Sequence, residues 1–300
     1  MPNQVIVPIG DKGQVNLYNG SSGTVDLIAD IAGYFTQSAA SGYSPLAPYR
    51  VVDTRSGVGA PKRQLAAGAS VAVQIAGNDK KKLPSSGITA VALNVTATGS
   101  PSSGFLTAYP DGKSLPTASN VNFSKGQTIA NSVIVPVGSD GRIRIYNGGK
   151  KPVSVVIDAV GYYSAASRSA YLPMYPTRYL DTRAKTWKYG PLEGGGYIDM
   201  PLSSDYPDVT GWVLNATVTS TKSSGYLTVS PDPNSYQAYQ GGWEVWPTKP
   251  GSSSLNWLRG QTVPNLVQAS TGSTGIVDFW NTGKGTVNLV VDAFGYYQND

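Results

Sequence analysis

The sequence predicts an all-β fold: tandem β-sandwich units of jelly-roll type, two complete and a third represented only by its C-terminal third. Three observations predict it. The chain repeats itself at long period, apolar and polar residues alternate with period two over short stretches, and Asp-Gly or Asn-Gly pairs fall between those stretches. A partly open barrel would satisfy the same pattern.

The repeat sets the order of the units. Residues 131–163, NSVIVPVGSDGRIRIYNGGKKPVSVVIDAVGYY, moved back by 128 positions, fall without a gap on residues 3–35, NQVIVPIGDKGQVNLYNGSSGTVDLIADIAGYF. The pattern returns from Asn265 as NLVQASTGSTGIVDFWNTGKGTVNLVVDAFGYY. Earlier segments recur twice: YRVVDTR (Tyr49 to Arg55) with TRYLDTR (Thr177 to Arg183), ITAVALNVTATGSPSSGFLTAYPD (Ile88 to Asp111) with VTGWVLNATVTSTKSSGYLTVSPD (Val209 to Asp232), and NVNFSKGQT (Asn120 to Thr128) with SLNWLRGQT (Ser254 to Thr262).

Residues 1–38 therefore read as the last strands of a unit, 39–165 as unit 1 and 166–300 as unit 2. The small polar stretches 36–42 and 164–169 read as linkers. Three strands with open edges are marginal alone in water, so residues 1–38 are expected to be covered, by a longer tandem array or by another chain.

Within the units each strand has its own signal. Arg142 to Tyr146 places Ile143 and Ile145 on one face and Arg142 and Arg144 on the other. Val91 to Thr98 and Val213 to Val218 are runs of β-branched and small residues. The turns between strands are marked by Lys12-Gly13, Asn19-Gly20, Asp111-Gly112, Asp140-Gly141 and Asn147-Gly148; Asp-Gly and Asn-Gly favour the positive φ of hairpin turns. No helical periodicity longer than about two turns competes with this reading.

The run VVDTRSGVGAP, LAAG, ALNVTAT, GFLTAYPDG, NVNFSKGQT, VPVGSDGRIRIYN and IDAVGYY resembles a repeat domain of secreted, cell-wall-associated proteins of Streptomyces and related actinobacteria. The resemblance covers essentially the whole chain and is closer in unit 1 than in unit 2. It implies an extracellular or cell-surface, non-catalytic accessory module, and it brings no binding residues with it. The given sequence shows no signal peptide.

Composition narrows the chemistry. Only 14% of residues are charged, against about 25% in an average domain, and 40% are apolar, which suits a packed chain rather than a disordered one. There is no Cys and no His, so disulfides, thiolate metal sites, thiol nucleophiles and Ser-His machinery are excluded. Unit 1 also lacks Glu, and the Asp-Gly turns carry no ladder of calcium ligands. Neither catalysis, nor a cofactor, nor a metal is expected. No apolar run is long enough to span a membrane as a helix, and no motif for nucleic acid accompanies the charge.

The recurring polar residues read as structural. Asp53 and Arg55, with their copies Asp181 and Arg183, flank a Thr. The Asp is expected to close a turn and the Arg to reach across the sheets to a carboxylate, for which Asp158 and its copies Asp30 and Asp292 are the natural partners. Asn94 and Asn215, Asn122 and Asn256, and Asn147 and Asn281 are expected to close turns through their side-chain amides. Each Gly-Tyr-Tyr or Gly-Tyr-Phe ending is expected to place one ring inward and one at a linker.

The sharper lead toward a ligand is an insertion of about 13 residues after Pro231-Asp232, carrying Tyr236, Tyr239, Trp243 and Trp246; all six Trp residues lie in unit 2. Aromatic rings on a loop suit the CH-rich face of a sugar, and they also suit the covering of a sheet edge. Charge adds a weaker lead. Residues 1–38 carry one Lys and three Asp, unit 1 thirteen Lys or Arg and five Asp, and unit 2 nine basic and ten acidic residues. The basic loops of unit 1, such as Lys80-Lys81-Lys82, Lys62-Arg63 and Lys150-Lys151, could favour anionic polymers. Two partners stay open: cell-wall or other polysaccharide, and self-association through residues 1–38 as part of a stalk, fibre or filament.

Overall fold

The computed structural model describes residues 2–36, 38, 41–79, 82–187 and 189–299. Unit 1 contains β1 (Gly42–Asp53), β2 (Ser70–Gln74), β3 (Ile88–Thr98), β4 (Gly104–Pro110), β5 (Val121–Phe123), β6 (Ile129–Pro136), β7 (Arg142–Asn147) and β8 (Ser154–Ser164). Unit 2 repeats them as β9 (Ser169–Asp181), β10 (Tyr197–Pro201), β11 (Val209–Thr219), β12 (Gly225–Pro231), β13 (Leu255–Trp257), β14 (Val263–Ser270), β15 (Ile276–Asn281) and β16 (Asn288–Asn299), with one short helix, α1 (Tyr236–Gly241), in the insertion.

All pairings are antiparallel, and each unit has two four-stranded sheets. In unit 1 the orders are β1-β8-β3-β6 and β2-β7-β4-β5, the jelly-roll arrangement. Unit 2 has the same orders with its own strands. The larger sheets of the two units meet at one residue pair, Tyr43 with Ser169, and so form a continuous eight-stranded sheet.

Alternation explains three separate cores. Along β3, Val91, Leu93, Val95 and Ala97 face the unit 1 interior, where they meet Ile143 and Ile145 of β7 and Leu106 of β4. Leu214, Ala216 and Val218 of β11 do the same in unit 2 against Val229, Val277 and Phe279. The opposite faces of the larger sheets are also apolar. Tyr43, Ala92, Tyr163, Val213, Leu266 and Tyr297 form a third core in the seam between the units. Strands buried on both faces lose much of the polar half of their alternation, as Val91 to Leu93 show.

The glycine of each Gly-Tyr-Tyr ending has a packing reason. The Tyr43 ring lies against Gly161 where a Cβ would collide, and its hydroxyl donates to the Val160 carbonyl at 3.0 Å. Tyr171 lies on Gly295 in the same way and donates to Phe294 at 3.0 Å. The register slips at both places, marking β-bulges. Tyr162 and Tyr296 pack on the cores of their own units, as expected of one ring, while Tyr163 and Tyr297 lie in the seam between the units and not at a linker; in the third copy Phe35 meets the seam and Tyr34 is exposed.

Residues 2–36 depart from the sequence expectation. They contain no strand, although their sequence matches β6 to β8. The reason is pairing. In unit 1, β6 and β8 hydrogen-bond to β1 and β3, and β7 to β2 and β4. Within the described residues those partner strands are already taken by the complete units. The segment is held instead at a few points on the seam, chiefly Asn3, Ile6 and Phe35. Of the stretch 164–169, residues 165–168 lie between β8 and β9 while Ser164 and Ser169 belong to those strands; the stretch 36–42 includes residues 37, 39 and 40, which lie outside the described set.

Candidate functional site

The Asp-Thr-Arg triplets form a rigid turn, with a correction to the expected partner. Asp53 accepts from the Arg55 backbone N–H at 2.9 Å and from its guanidinium Nε at 2.9 Å and Nη2 at 2.7 Å. The same bonds join Asp181 to Arg183 at 3.1, 2.8 and 2.6 Å. The arginine that crosses to the next strand is Arg50 rather than Arg55: its Nε donates to buried Asp158 at 2.6 Å and its Nη1 to Asp53 at 3.2 Å. Arg178 makes the equivalent bonds to Asp292 and Asp181. The i,i+2 spacing suits a side chain folding back on its own turn. Crossing the ladder needs a residue inside the strand, and Arg50 stands opposite Asp158 in the register. Asp30 lies exposed in the coil of residues 2–36.

These pairs set the charge states. Hydrogen bonding to Arg55 lowers the Asp53 pKa to about 2, and Arg183 does the same for Asp181. Burial raises that of Asp158 against the opposing pull of Arg50.

The asparagines divide. Asn147 and Asn281 are fully buried and close turns as expected: Asn147 donates to the carbonyls of Leu65, Ala66 and Lys151 at 3.0–3.1 Å, and Asn281 to Leu192 and Gly285 at 3.1 and 2.9 Å. Asn122 and Asn256 sit at the centres of β5 and β13 rather than in turns. Asn94 and Asn215 lie mid-strand on the seam face, where Asn94 donates to Ser253 and accepts from Asn265 Nδ2 at 3.2 Å.

The aromatic insertion lies over the outer face of the smaller unit 2 sheet. Ser235 caps α1 by accepting from the Ala238 N–H at 3.2 Å, and Gly242, at φ 67°, ends it in the left-handed region. Asn234 ties the two ends of the loop together, donating to and accepting from the Val245 backbone at 2.8 Å each way. Tyr239 anchors the loop to the sheet, its hydroxyl donating to Asp232 at 2.7 Å. Beneath it, Tyr197 of β10 stacks on Trp280 of β15 at 4.4 Å, and Trp246 meets Tyr197 edge-on at 5.1 Å. Of the four singled-out rings, Tyr239 is therefore an anchor, whereas Trp243 and Trp246 stand 66% and 76% exposed and Tyr236 is also exposed.

The sheet under this loop carries a feature that sequence reading missed. Asp278 of β15 stands where unit 1 has Arg144 of β7, and Asp232 stands where unit 1 has Asp111. In unit 1 those two make an ion pair at 2.5 Å, and Arg144 also donates to Ser70 at 3.1 Å. In unit 2 the pair is two carboxyls, with Asp199 a third acid directly across the ladder from Asp278. Burial, reinforced by Asp232, raises the Asp278 pKa to about 9, so this carboxyl is protonated at neutral pH. The signal was present in the aligned strings RIRIYN and IVDFWN, but only the pairing register puts the acids side by side.

In unit 1 the corresponding outer face carries Arg142, Arg144, Phe105 and Tyr146 without an insertion above it. Of the basic loops, Lys82 places its ammonium 4.2 Å from the Tyr49 ring centre, while Lys80 and Lys81 lie outside the described residues.

No protein-family model matches the chain, and no curated protein matches it. Among solved structures, the N-terminal CBM22-1-CBM22-2 tandem domain of Xyn10C from Paenibacillus barcinonensis is similar over 85% of this chain and 98% of that one, at 10% identity and a TM-score of 0.23. A likeness at that level assigns neither a fold nor a ligand.

Proposed function

We propose that the chain is a non-catalytic, extracellular β-sandwich module that attaches to cell-wall or other polysaccharide through the aromatic insertion of unit 2. The observation that carries this reading is the pair of exposed indoles, Trp243 and Trp246, on a loop pinned by Asn234, Tyr239 and the Tyr197–Trp280 stack. A tryptophan buries roughly 150–250 Å² when covered. At ~25 cal/mol per Å² each ring left in water forgoes several kcal/mol. A loop braced to hold them outward is suited to stacking on the apolar face of a pyranose.

The absence of His and Cys, and the use of Asp53, Asp111, Asp158, Asp181 and Asp292 in ion pairs, support a binding rather than a catalytic role. The test is co-sedimentation of the intact chain with purified peptidoglycan, chitin, xylan and cellulose. Retention on one of them, lost in the Trp243→Ala/Trp246→Ala double variant, is the expected result. Equal retention of both proteins would sink the reading.

A second reading, assembly into a stalk, fibre or filament through residues 2–36, is favoured by a different observation. Val5, Val7, Val15, Leu17, Leu27 and Ile31 are all exposed in that segment. Negative-stain micrographs of concentrated protein, with and without residues 2–36, test it.

A further inference from the structure

Residues 2–36 are docked in a way that repeats the contact between the two complete units. Three of the contacts between unit 1 and unit 2 are these: the Ser132 N–H donates to Asn265 Oδ1 at 3.2 Å, Asn265 Nδ2 donates to Asn94 Oδ1 at 3.2 Å, and the Tyr43 ring stacks on Tyr297 at 4.0 Å. Each contact recurs one step on, between unit 2 and the N-terminal segment, at equivalent residues. The Leu266 N–H donates to Asn3 Oδ1 at 3.0 Å, Asn3 Nδ2 donates to Asn215 Oδ1 at 3.3 Å, and the Tyr171 ring packs on Phe35 at 4.7 Å. The relation is head-to-tail, and a head-to-tail contact closes into a ring when its rotation permits.

Three copies of the seam residues lie side by side here. Phe35 and Tyr163 are 6.1 Å apart and Tyr163 and Tyr297 6.5 Å, while Ile6 is buried in the seam beside Ile134, and Gln268 joins both tyrosine hydroxyls. By the same rule a last link would run from the N-terminal segment back to unit 1, onto Asn131, and it is open among the described residues. Asn131 Oδ1 is buried and has no hydrogen-bond partner among the described residues.

The faces of the segment are sorted accordingly. Its seam-side residue Ile6 is buried. Its other face, Val5, Val7, Val15, Leu17, Leu27 and Ile31, is exposed, although the unit 1 copies Val133, Val135, Ile143, Ile145, Val155 and Ala159 are core residues covered by β1 to β5. Unit 2 shows the same vacancy. The Arg50–Asp158 pair of unit 1 is roofed by the unit 2 loop, Arg50 donating to the Gly251 carbonyl at 2.8 Å, and the Asp158 side chain is 1% exposed. The equivalent Asp292 of unit 2, paired with Arg178, is 22% exposed.

We propose that residues 2–36 and the neighbouring face of unit 2 accept a β1-to-β5 half-unit, a polypeptide with the sequence pattern of residues 39–130 of this chain. Its docking completes a third jelly roll and closes three units into a ring. The inference shares with the assembly reading only the use of residues 2–36 as the joining surface; it names the partner and puts a closed ring in place of the fibre. The half-unit supplies the apolar side chains that match Val51, Val73, Leu93, Leu106 and Phe123, strands for residues 3–35 to pair with, and a loop to cover Arg178 and Asp292.

The experiment co-expresses the full chain with a tagged segment of residues 39–130, and separately fuses that segment directly ahead of Asn3. The expected results are a one-to-one complex by size-exclusion chromatography and, in the fusion, slowed amide exchange across residues 5–31, on the order of 100-fold or more. Leu17→Asp with Leu27→Asp should abolish capture while leaving the melting of the 300-residue chain unchanged, because both side chains are exposed there. Growth that stops at the one-to-one complex supports the half-unit and sinks the fibre reading. Fibres or dimers of the full chain that the segment neither joins nor blocks would make a second copy the occupant and overturn the half-unit. Unchanged exchange across residues 5–31 in a folded fusion would overturn it as well.

Discussion

The hydroxyls of Tyr163 and Tyr297, the same residue in two successive units, meet at 2.7 Å in the buried seam, and both also donate to or share the carbonyl oxygen of Gln268, at 3.0 and 2.8 Å. Burial raises the pKa of both phenols, so they stay neutral donors across the ordinary pH range. The seam is thus a hydrogen-bonded apolar core and not a flexible hinge between beads.

Tyr297→Phe removes one hydroxyl from this triangle and leaves Tyr163 with Gln268 alone. A loss of about 1–2 kcal/mol is expected. Calorimetry checks it, and should show the two units of the parent chain unfolding in one transition.

The arginines should rank by what they leave behind. Arg50→Ala strands Asp158, which is almost fully buried, and should cost roughly 3 kcal/mol. Arg55→Ala breaks a pair whose arginine side chain is 54% exposed and should cost below about 1 kcal/mol. Arg178→Ala should fall between them. Equal melting temperatures for the Arg50 and Arg55 variants would refute the ranking.

Two opposite pH dependences are built in. Asp53 and Asp181 have folded pKa values near 2, below the ordinary 3.8. The unfolded chain binds their protons first as pH falls, so their stabilisation is full above about pH 4 and is lost toward pH 2. Asp278 is the reverse case. With its pKa raised to about 9, the folded state holds a proton that the unfolded state has released between about pH 4 and 9. Stability therefore declines across that window, by up to about 1.4 kcal/mol per pH unit, and levels off above it. Asp278→Asn should flatten the decline, raising the melting temperature at pH 8 by several degrees and changing it little near pH 4. Melting curves of the two proteins from pH 3 to 10 decide this.

Trp243→Ala and Trp246→Ala should each weaken polysaccharide retention roughly 10-fold or more, as an exposed aromatic anchor does, with melting shifted by no more than about 1 °C. Tyr239→Phe should do the opposite. It frees Asp232 from its hydroxyl donor, loosens the loop, and is expected to show as faster exchange of residues 234–245 before any loss of retention.

Much of the architecture was legible from the chain alone. The alternation in RIRIYN, the β-branched runs at 91–98 and 213–218, the Gly-bearing turns and the repeat at 128 residues point to antiparallel sandwiches, because period-two patterning and turn chemistry are local properties. The closing of turns by Asn147 and Asn281 was readable for the same reason, and so was Asp53 as the acceptor of a backbone N–H in its turn, whereas the Arg55 side chain folds back on Asp53 instead of crossing the sheets. What the tertiary structure decided are relations between residues far apart. The partner of Asp158 is Arg50, because the β1–β8 register puts them opposite. Asn94 serves the seam and not a turn, and Asp232 and Asp278 share one site. Residues 2–36 form no strands here, because a strand's hydrogen bonds belong to its neighbours. A repeated sequence states what each strand can pair with, and only the folded chain shows which partners are in reach.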